Sequence, residues 1–139
     1  MGNSRDEQLD RIVGEHFMYE ATDNVDGVLG TLADDAEHEL VGGPDGPLRG
    51  KAALRSFYER LFSDLKGERV EPVMRLYGED CVVDETLWFG EVHDGRAFKL
   101  SGKSGKARIR LLHVFKLRDG VIIKENVWFD FDNLKRQLA

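Results

Sequence analysis

The chain has one cysteine, three prolines and no long apolar run, and each shortage excludes something. A single thiol, Cys81, rules out an intramolecular disulfide and a thiolate metal cluster. Nothing beside it in "DCVVDE" lowers its pKa, so it reads as a small apolar strand residue and not as a nucleophile. The N-terminal "MGNSRDEQLDR" has no apolar segment of the kind a secretory signal needs, and no window has the length of a membrane span. A cytoplasmic location is therefore expected. Positive charge is scarce too. The net charge is −6 and the 20 Lys and Arg residues form no run, which argues against nucleic acid or an anionic membrane as the partner.

What is present fits one domain. A chain of 139 residues can bury a core of its own, and no linker, repeat or low-complexity tract divides it. Residues 1–139 are read as a single domain, with 1–8 expected to lack order.

Leu9, Ile12, Val13, His16 and Phe17 recur at helical spacing, which puts His16 on an apolar stripe with Tyr19 and Glu20 at its border. "TDNVDGVLGTLADDA" supplies an Asp/Asn capping cluster and a short second helix with Val25, Val28, Leu29 and Leu32 on one face. "EHELV" alternates as a short strand, with Ala36, His38 and Leu40 on one side. The loop "GGPDGPLRG" holds two of the prolines and precedes a third helix whose Leu54, Phe57, Tyr58, Leu61 and Leu65 share a face.

From there the pattern is β: strands are expected near 69–77, 81–93, 96–101, 107–118 and 121–131, followed by a short helix in "DNLKRQLA" capped at Asp132 or Asn133. Helices first and an antiparallel meander afterwards make the fold class α+β.

The last two strands are apolar on both faces. Ile109, Leu111, His113, Phe115 and Leu117 share one face of the first, and Val121, Ile123, Glu125, Val127 and Phe129 one face of the second. Leu112, Val114, Ile122 and Trp128 lie on the other. A sheet covered by helices on one side and apolar on the other predicts a partner, so a homodimer through the outer face is expected.

In "VDGVLGTLADDAEHELVG", "LRGKAALRSFYERLF", "LLHVFKLRDGVIIKENVWFD" and the terminal "LKRQLA" the chain resembles the nuclear transport factor 2-like superfamily, and within it the SnoaL-like polyketide cyclases and ketosteroid isomerases. The resemblance runs from about Leu9 to the end. It implies a curved antiparallel sheet wrapped by the three helices into a cone, with an internal apolar pocket. On that fold His113, Glu125, Val127, Phe129, Leu87, Phe89, Glu85 and Glu91 would face the pocket, joined by His16 and Tyr19 from the first helix and His38 and Leu40 from the first strand.

Position by position, the family's chemistry carries over unevenly. The aspartate base of the ketosteroid isomerases falls at Leu40, their tyrosine donor at His16 and their aspartic acid donor at His113. SnoaL-like cyclases have a histidine where His113 stands, but their acid/base aspartate on the last strand falls at Val127. The donor positions remain polar and both general-base positions are apolar, so steroid isomerisation by the usual route is not expected.

His113 and Glu125 flank the tight "RDG" turn and are cross-strand neighbours if the register keeps them on one face. Two readings stand. In one, Glu125 orients His113, which moves a proton next to a carbonyl, with His16 in support. In the other they are a satisfied polar pair in a roomy sheet. His38 can equally be a pocket residue or an exposed one, and Glu85 a pocket acid or a strand-end residue. Histidines 16, 38 and 113 match no local ligand motif, so no metal is expected, and no cofactor. "SGKSGK" lacks the spacing of a phosphate loop, and Trp88 and Trp128 are assigned to packing or an interface by strand parity.

The expectation is thus a cofactor-free isomerase, cyclase or lyase acting on an apolar carbonyl compound. The alternative is a non-catalytic ligand-binding or accessory dimeric domain.

Overall fold

The computed structural model describes residues 4–139. Helices α1 (Ser4–Ala21) and α2 (Val25–Gly30) come first, then strands β1 (Leu32–Leu40) and β2 (Leu48–Arg49), then helix α3 (Lys51–Asp64). Strands β3 (Leu65–Tyr77), β4 (Cys81–Val92), β5 (Gly105–Arg118) and β6 (Val121–Trp128) follow, and α4 (Phe131–Gln137) closes the chain. Residues 4–8, expected to lack order, form the start of α1; residues 1–3 lie outside the described residues. No described helix is long and apolar enough to cross a membrane.

The strands form one curved sheet in the order β2-β1-β6-β5-β4-β3. It departs from the expected meander in one place, because β1 runs parallel to β6 and places the last strand near the middle of the sheet. β1 is also longer than "EHELV". Its first half hides behind exposed Asp34 and Asp35, where the pairing with β6 is irregular.

The stretch 96–101, expected as a strand, is a 3-10 turn over Arg96–Phe98. There Asp94 Oδ1 accepts from the backbone N–H groups of Arg96 and Gly102, and the Arg96 guanidinium grips Asp64 through two hydrogen bonds of 2.7 and 2.9 Å. The α4 cap is Asp130, not Asp132 or Asn133: its side chain accepts from the Asn133 N–H at 3.0 Å.

The β5–β6 hairpin decides which way Glu125 faces. Asp119 and Gly120 both take positive φ (53° and 81°), the requirement of a two-residue turn that follows the strand twist. Leu117 then pairs with Ile122, but Lys116 pairs with Lys124, which leaves Ile123 as an extra residue, a β-bulge. Ile122 and Glu125, three positions apart, therefore both face inward (0% and 2% exposed). The expected grouping of Val121 and Ile123 with Glu125 fails at this bulge.

Two apolar cores sit on the concave side. One joins Leu9 and Val13 of α1, Val28 and Leu29 of α2, and Leu54 and Phe57 of α3 to Phe115, Leu117 and Ile122 of the sheet. The other joins Val92, Phe98, Ala107 and Ile109 to Leu134 and Leu138 at the C-terminal end.

Candidate functional site

A cavity of about 390 Å³ opens on the concave side of the sheet, with residues of both cores in or beside its wall. Glu125 is its most buried acid. Because β6 lies between β1 and β5, Glu125 has His38 as its register partner on one side and Phe115 on the other, with His113 a diagonal step away. Its Oε1 accepts from the Tyr58 hydroxyl at 2.9 Å and from His16 Nε2 at 3.1 Å. His38 Nε2 stands 3.8 Å from Oε1, and His113 Nε2 stands 3.8 Å from Oε2. Both separations are too long for hydrogen bonds. The bulge turned Glu125 inward but set it diagonal to His113, so the two are neighbours without a direct bond.

The protonation of His16 follows from its partners. The Thr31 hydroxyl donates to the Val28 carbonyl at 2.6 Å, so toward His16 Nδ1, 2.8 Å away, it can only accept. Nε2 faces Glu20 Oε1 at 2.8 Å and Glu125 Oε1 at 3.1 Å. A proton on each nitrogen satisfies both ends, and His16 is an imidazolium. Burial, the largest influence, opposes that charge. The Glu125 and Glu20 carboxylates outweigh it and push the His16 pKa up to about 10.

Glu125 mirrors this: burial favours its neutral form, but the His16 charge and hydrogen bond, with His38 and His113 further out, hold its pKa well below the usual carboxylate range. His38 has no such close partner, and burial lowers its pKa. Burial, reinforced by the Glu125 charge, raises Tyr58 well above the ordinary phenol value.

Of the residues expected at the site, His113, Glu125, His38, Leu40, Val127 and Phe129 line the cavity, and His16 sits fully buried behind Glu125. Tyr19 does not line it; its ring lies flat on α2, where a Cβ at Gly27 would fall 2.3 Å from Tyr19 Cδ1.

The β4 parity is the opposite of the expected one. Glu85 pairs with Arg110 on the outer face, Leu87 is the register partner of that same arginine, and Phe89 lies under the Arg69 guanidinium 3.7 Å from its centroid. Thr86 and Trp88 line the cavity instead. Trp88, assigned to packing from sequence, is fitted by two glycines: a Cβ at Gly90 would lie 2.6 Å from its Cη2, and one at Gly67 3.2 Å from its Nε1. Reading the sequence alone also passed over Glu20, Thr31, Tyr58 and Arg75. Tyr58 was hidden in an apolar helical stripe. Glu20 was placed at the edge of one, four residues after His16, a spacing that brings side chains together on a helix.

His16 Nε2 and one oxygen each of Glu20 and Glu125 lie within 4.8 Å of one another, which is cation-ligand spacing. In the hydrogen-bonded arrangement the shared His16 proton occupies that triangle, and a divalent ion would have to displace it.

A family model for the SnoaL-like domain matches residues 13–125. The chain belongs to the SnoaL-like family. No curated protein matches it by sequence. Among solved structures, a nuclear transport factor 2-like protein from Burkholderia xenovorans aligns at 19% identity and a TM-score of 0.76, covering 99% of this chain and 100% of that one. A ketosteroid isomerase-like protein from Catenulispora acidiphila in complex with trimethylamine aligns at 13% identity and 0.74, covering 91% and 90%. An LEH-like epoxide hydrolase from M. tuberculosis aligns at 19% and 0.72, covering 94% and 88%. At these identities the likeness is one of fold, and it places the chain among the nuclear transport factor 2-like and ketosteroid isomerase-like folds.

Proposed function

We propose that this protein is an acid/base enzyme of the isomerase, cyclase or lyase kind, acting without a cofactor on a small, largely apolar carbonyl compound. His113 is the group that moves the proton, Glu125 orients it, and His16 holds Glu125 in place. The observation that carries this reading is the pair of buried imidazoles, His113 and His38, on the cavity wall, each 3.8 Å from a different oxygen of one carboxylate. In ligand-free sites catalytic hydrogen bonds are often long and close only around a substrate. A carbonyl compound entering beside Leu40, Val127 and Phe129 would bring its α-proton to that gap.

The test uses a small ketone as the probe. Deuterium exchange at the α-carbon of cyclohexanone in D2O, followed by proton NMR, should be accelerated by the protein. His113→Ala should reduce that acceleration by about 10²- to 10⁴-fold. Exchange unchanged in the variant would sink the mechanism. The unmade His113–Glu125 hydrogen bond favours the second reading, a non-catalytic ligand-binding domain, which predicts binding with no exchange in either protein.

The outer face supports a homodimer as the working form. Trp128, Met74 and Leu76 are exposed there (38%, 41% and 54%), and Asn126 Oδ1 is buried with no partner. Sedimentation at micromolar concentration should give twice the chain mass. A monomer would remove this part of the proposal.

A further inference from the structure

The charges around the cavity do not balance. Of the two arginines in its wall, Arg75 is bound to Asp84 and Asp10, both at 2.8 Å, and Arg69 is bound to Glu71. At the rim, Asp23 faces Lys66 at 3.8 Å and Glu68 faces Lys106 at 3.7 Å. Deeper in, Glu20 and Glu125 share one cation, His16. That cluster holds two carboxylates against one imidazolium. One negative charge is left over beside a low-dielectric space, where it acts more strongly than it would in water.

Only Oε1 of Glu125 receives protein hydrogen bonds among the described residues; Oε2 has His113 at 3.8 Å. The surrounding wall is aromatic, with Phe17, Phe57, Tyr58, Phe62, Trp88 and Phe129 all lining it. Ring faces attract cations, and Trp most strongly.

We propose that the cavity takes a cationic organic ligand, a small protonated amine with apolar substituents, whose ammonium group lies on the cavity side of the His16–Glu20–Glu125 cluster, against Glu125 Oε2 and Glu20. The inference rests on the reading of the cavity as a small-molecule site and names the charge of what enters it. An ammonium supplies the hydrogen-bond donors that Glu125 Oε2 and the solvent-facing side of Glu20 lack, and the rings cover its alkyl part. A carboxylate or phosphate in the same place would meet the surplus negative charge instead. A neutral ketone gains nothing from it.

Trp88 is a built-in reporter. In a Trp128→Phe protein it is the sole indole, since the chain has two tryptophans. Its fluorescence is titrated with three ligands of one shape: cyclohexylammonium, cyclohexanol and cyclohexanecarboxylate. The ammonium should bind at least about tenfold more tightly than the alcohol, as an uncompensated partner and a cation–ring contact together imply, and the carboxylate should bind most weakly. Glu20→Gln, at the half-exposed edge of the cluster, should bring the ammonium close to the alcohol while leaving the alcohol unchanged.

Equal or tighter binding of the alcohol or carboxylate to the Trp128→Phe protein overturns the proposal, and needs no further variant to fold. Zn2+ alone binding and blocking the ammonium would assign the surplus charge to a metal ion and overturn it as well. Neither result touches cyclohexanone exchange or its loss in His113→Ala, so a failure here is distinguishable from a failure of the proton-transfer reading.

Discussion

Strands β5 and β6 build two interiors from one alternation of side chains. Near the hairpin, Phe115, Leu117 and Ile122 pack dry against Val28 and Leu29 and are at most 4% exposed. A few residues along the same strands, His113, Leu111 and Ile109 from β5 and Glu125, Val127 and Phe129 from β6 face the cavity. What differs is the cover. Helices α1 and α2 close the first region, whereas beside the second the edge strand β3 has only exposed residues from Lys66 to Met74. In the sealed region a polar residue would be penalised. In the open one the same inward positions hold an ionised acid, Glu125, and His113, with His38 beside them on β1 and His16 behind them on α1. The sheet supplies the positions, and the cover decides what chemistry they can carry.

Six substitutions test that contrast. The largest effect is expected at the sealed end: Phe115→Ala should lower unfolding stability by about 3–5 kcal/mol, read from urea denaturation, through the void it leaves. Glu125→Ala should be similar, about 3–5 kcal/mol, but for a different reason, since it strands a buried imidazolium. The two can be told apart by pairing each with His16→Leu, which should recover much of the Glu125→Ala loss and none of the Phe115→Ala loss.

Thr31→Val removes the acceptor of His16 Nδ1–H and should lower stability by about 1–3 kcal/mol. The smallest change tests the strand parity: with binding read by titration calorimetry, Leu87→Ala, on the outer face, should leave cyclohexylammonium binding unaltered, whereas Trp88→Ala should weaken it. Equal weakening by both would contradict the inward placement of Trp88.

The polar cluster also fixes the pH dependence of stability. The His16 pKa is raised in the folded state, so its contribution is complete below about 6.5 and is lost as the pH climbs through about 10. The Glu125 pKa is lowered, so its contribution is present above about 4.5 and is lost in acid. The His38 pKa is lowered too; burying it uncharged favours folding above about 6.5 and disfavours it as the pH falls below that. Thermal unfolding midpoints should peak near pH 6.5 and fall on both sides. A midpoint still rising toward pH 9 would contradict the His16 assignment.

Much of this was legible in the sequence because simple periods held. Helical spacing put His16 on a buried stripe, and the family resemblance put His38, His113 and Glu125 on the pocket face. The β4 strand misled for a physical reason. Over the stretch that borders the cavity, the outward Leu87 and Phe89 are more apolar than the inward Asp84 and Thr86, and Glu85 was grouped with them by parity, so hydrophobicity there pointed the wrong way. A cavity tolerates polar residues, and an outer face suited to a partner carries apolar ones. Tyr58 was found as core without its bond to Glu125, because a hydroxyl's partner depends on tertiary structure. The bulge at Ile123 left no mark that alternation could detect.

Glu125 is an ionised acid held beside the cavity by a charged His16. The ring-nitrogen chemical shifts of 15N-labelled histidines at neutral pH report this state. One histidine, lost in a His16→Gln control, should show protons on both nitrogens and no titration until near pH 10, while His38 carries one proton. A His16 with a single proton at neutral pH would contradict it.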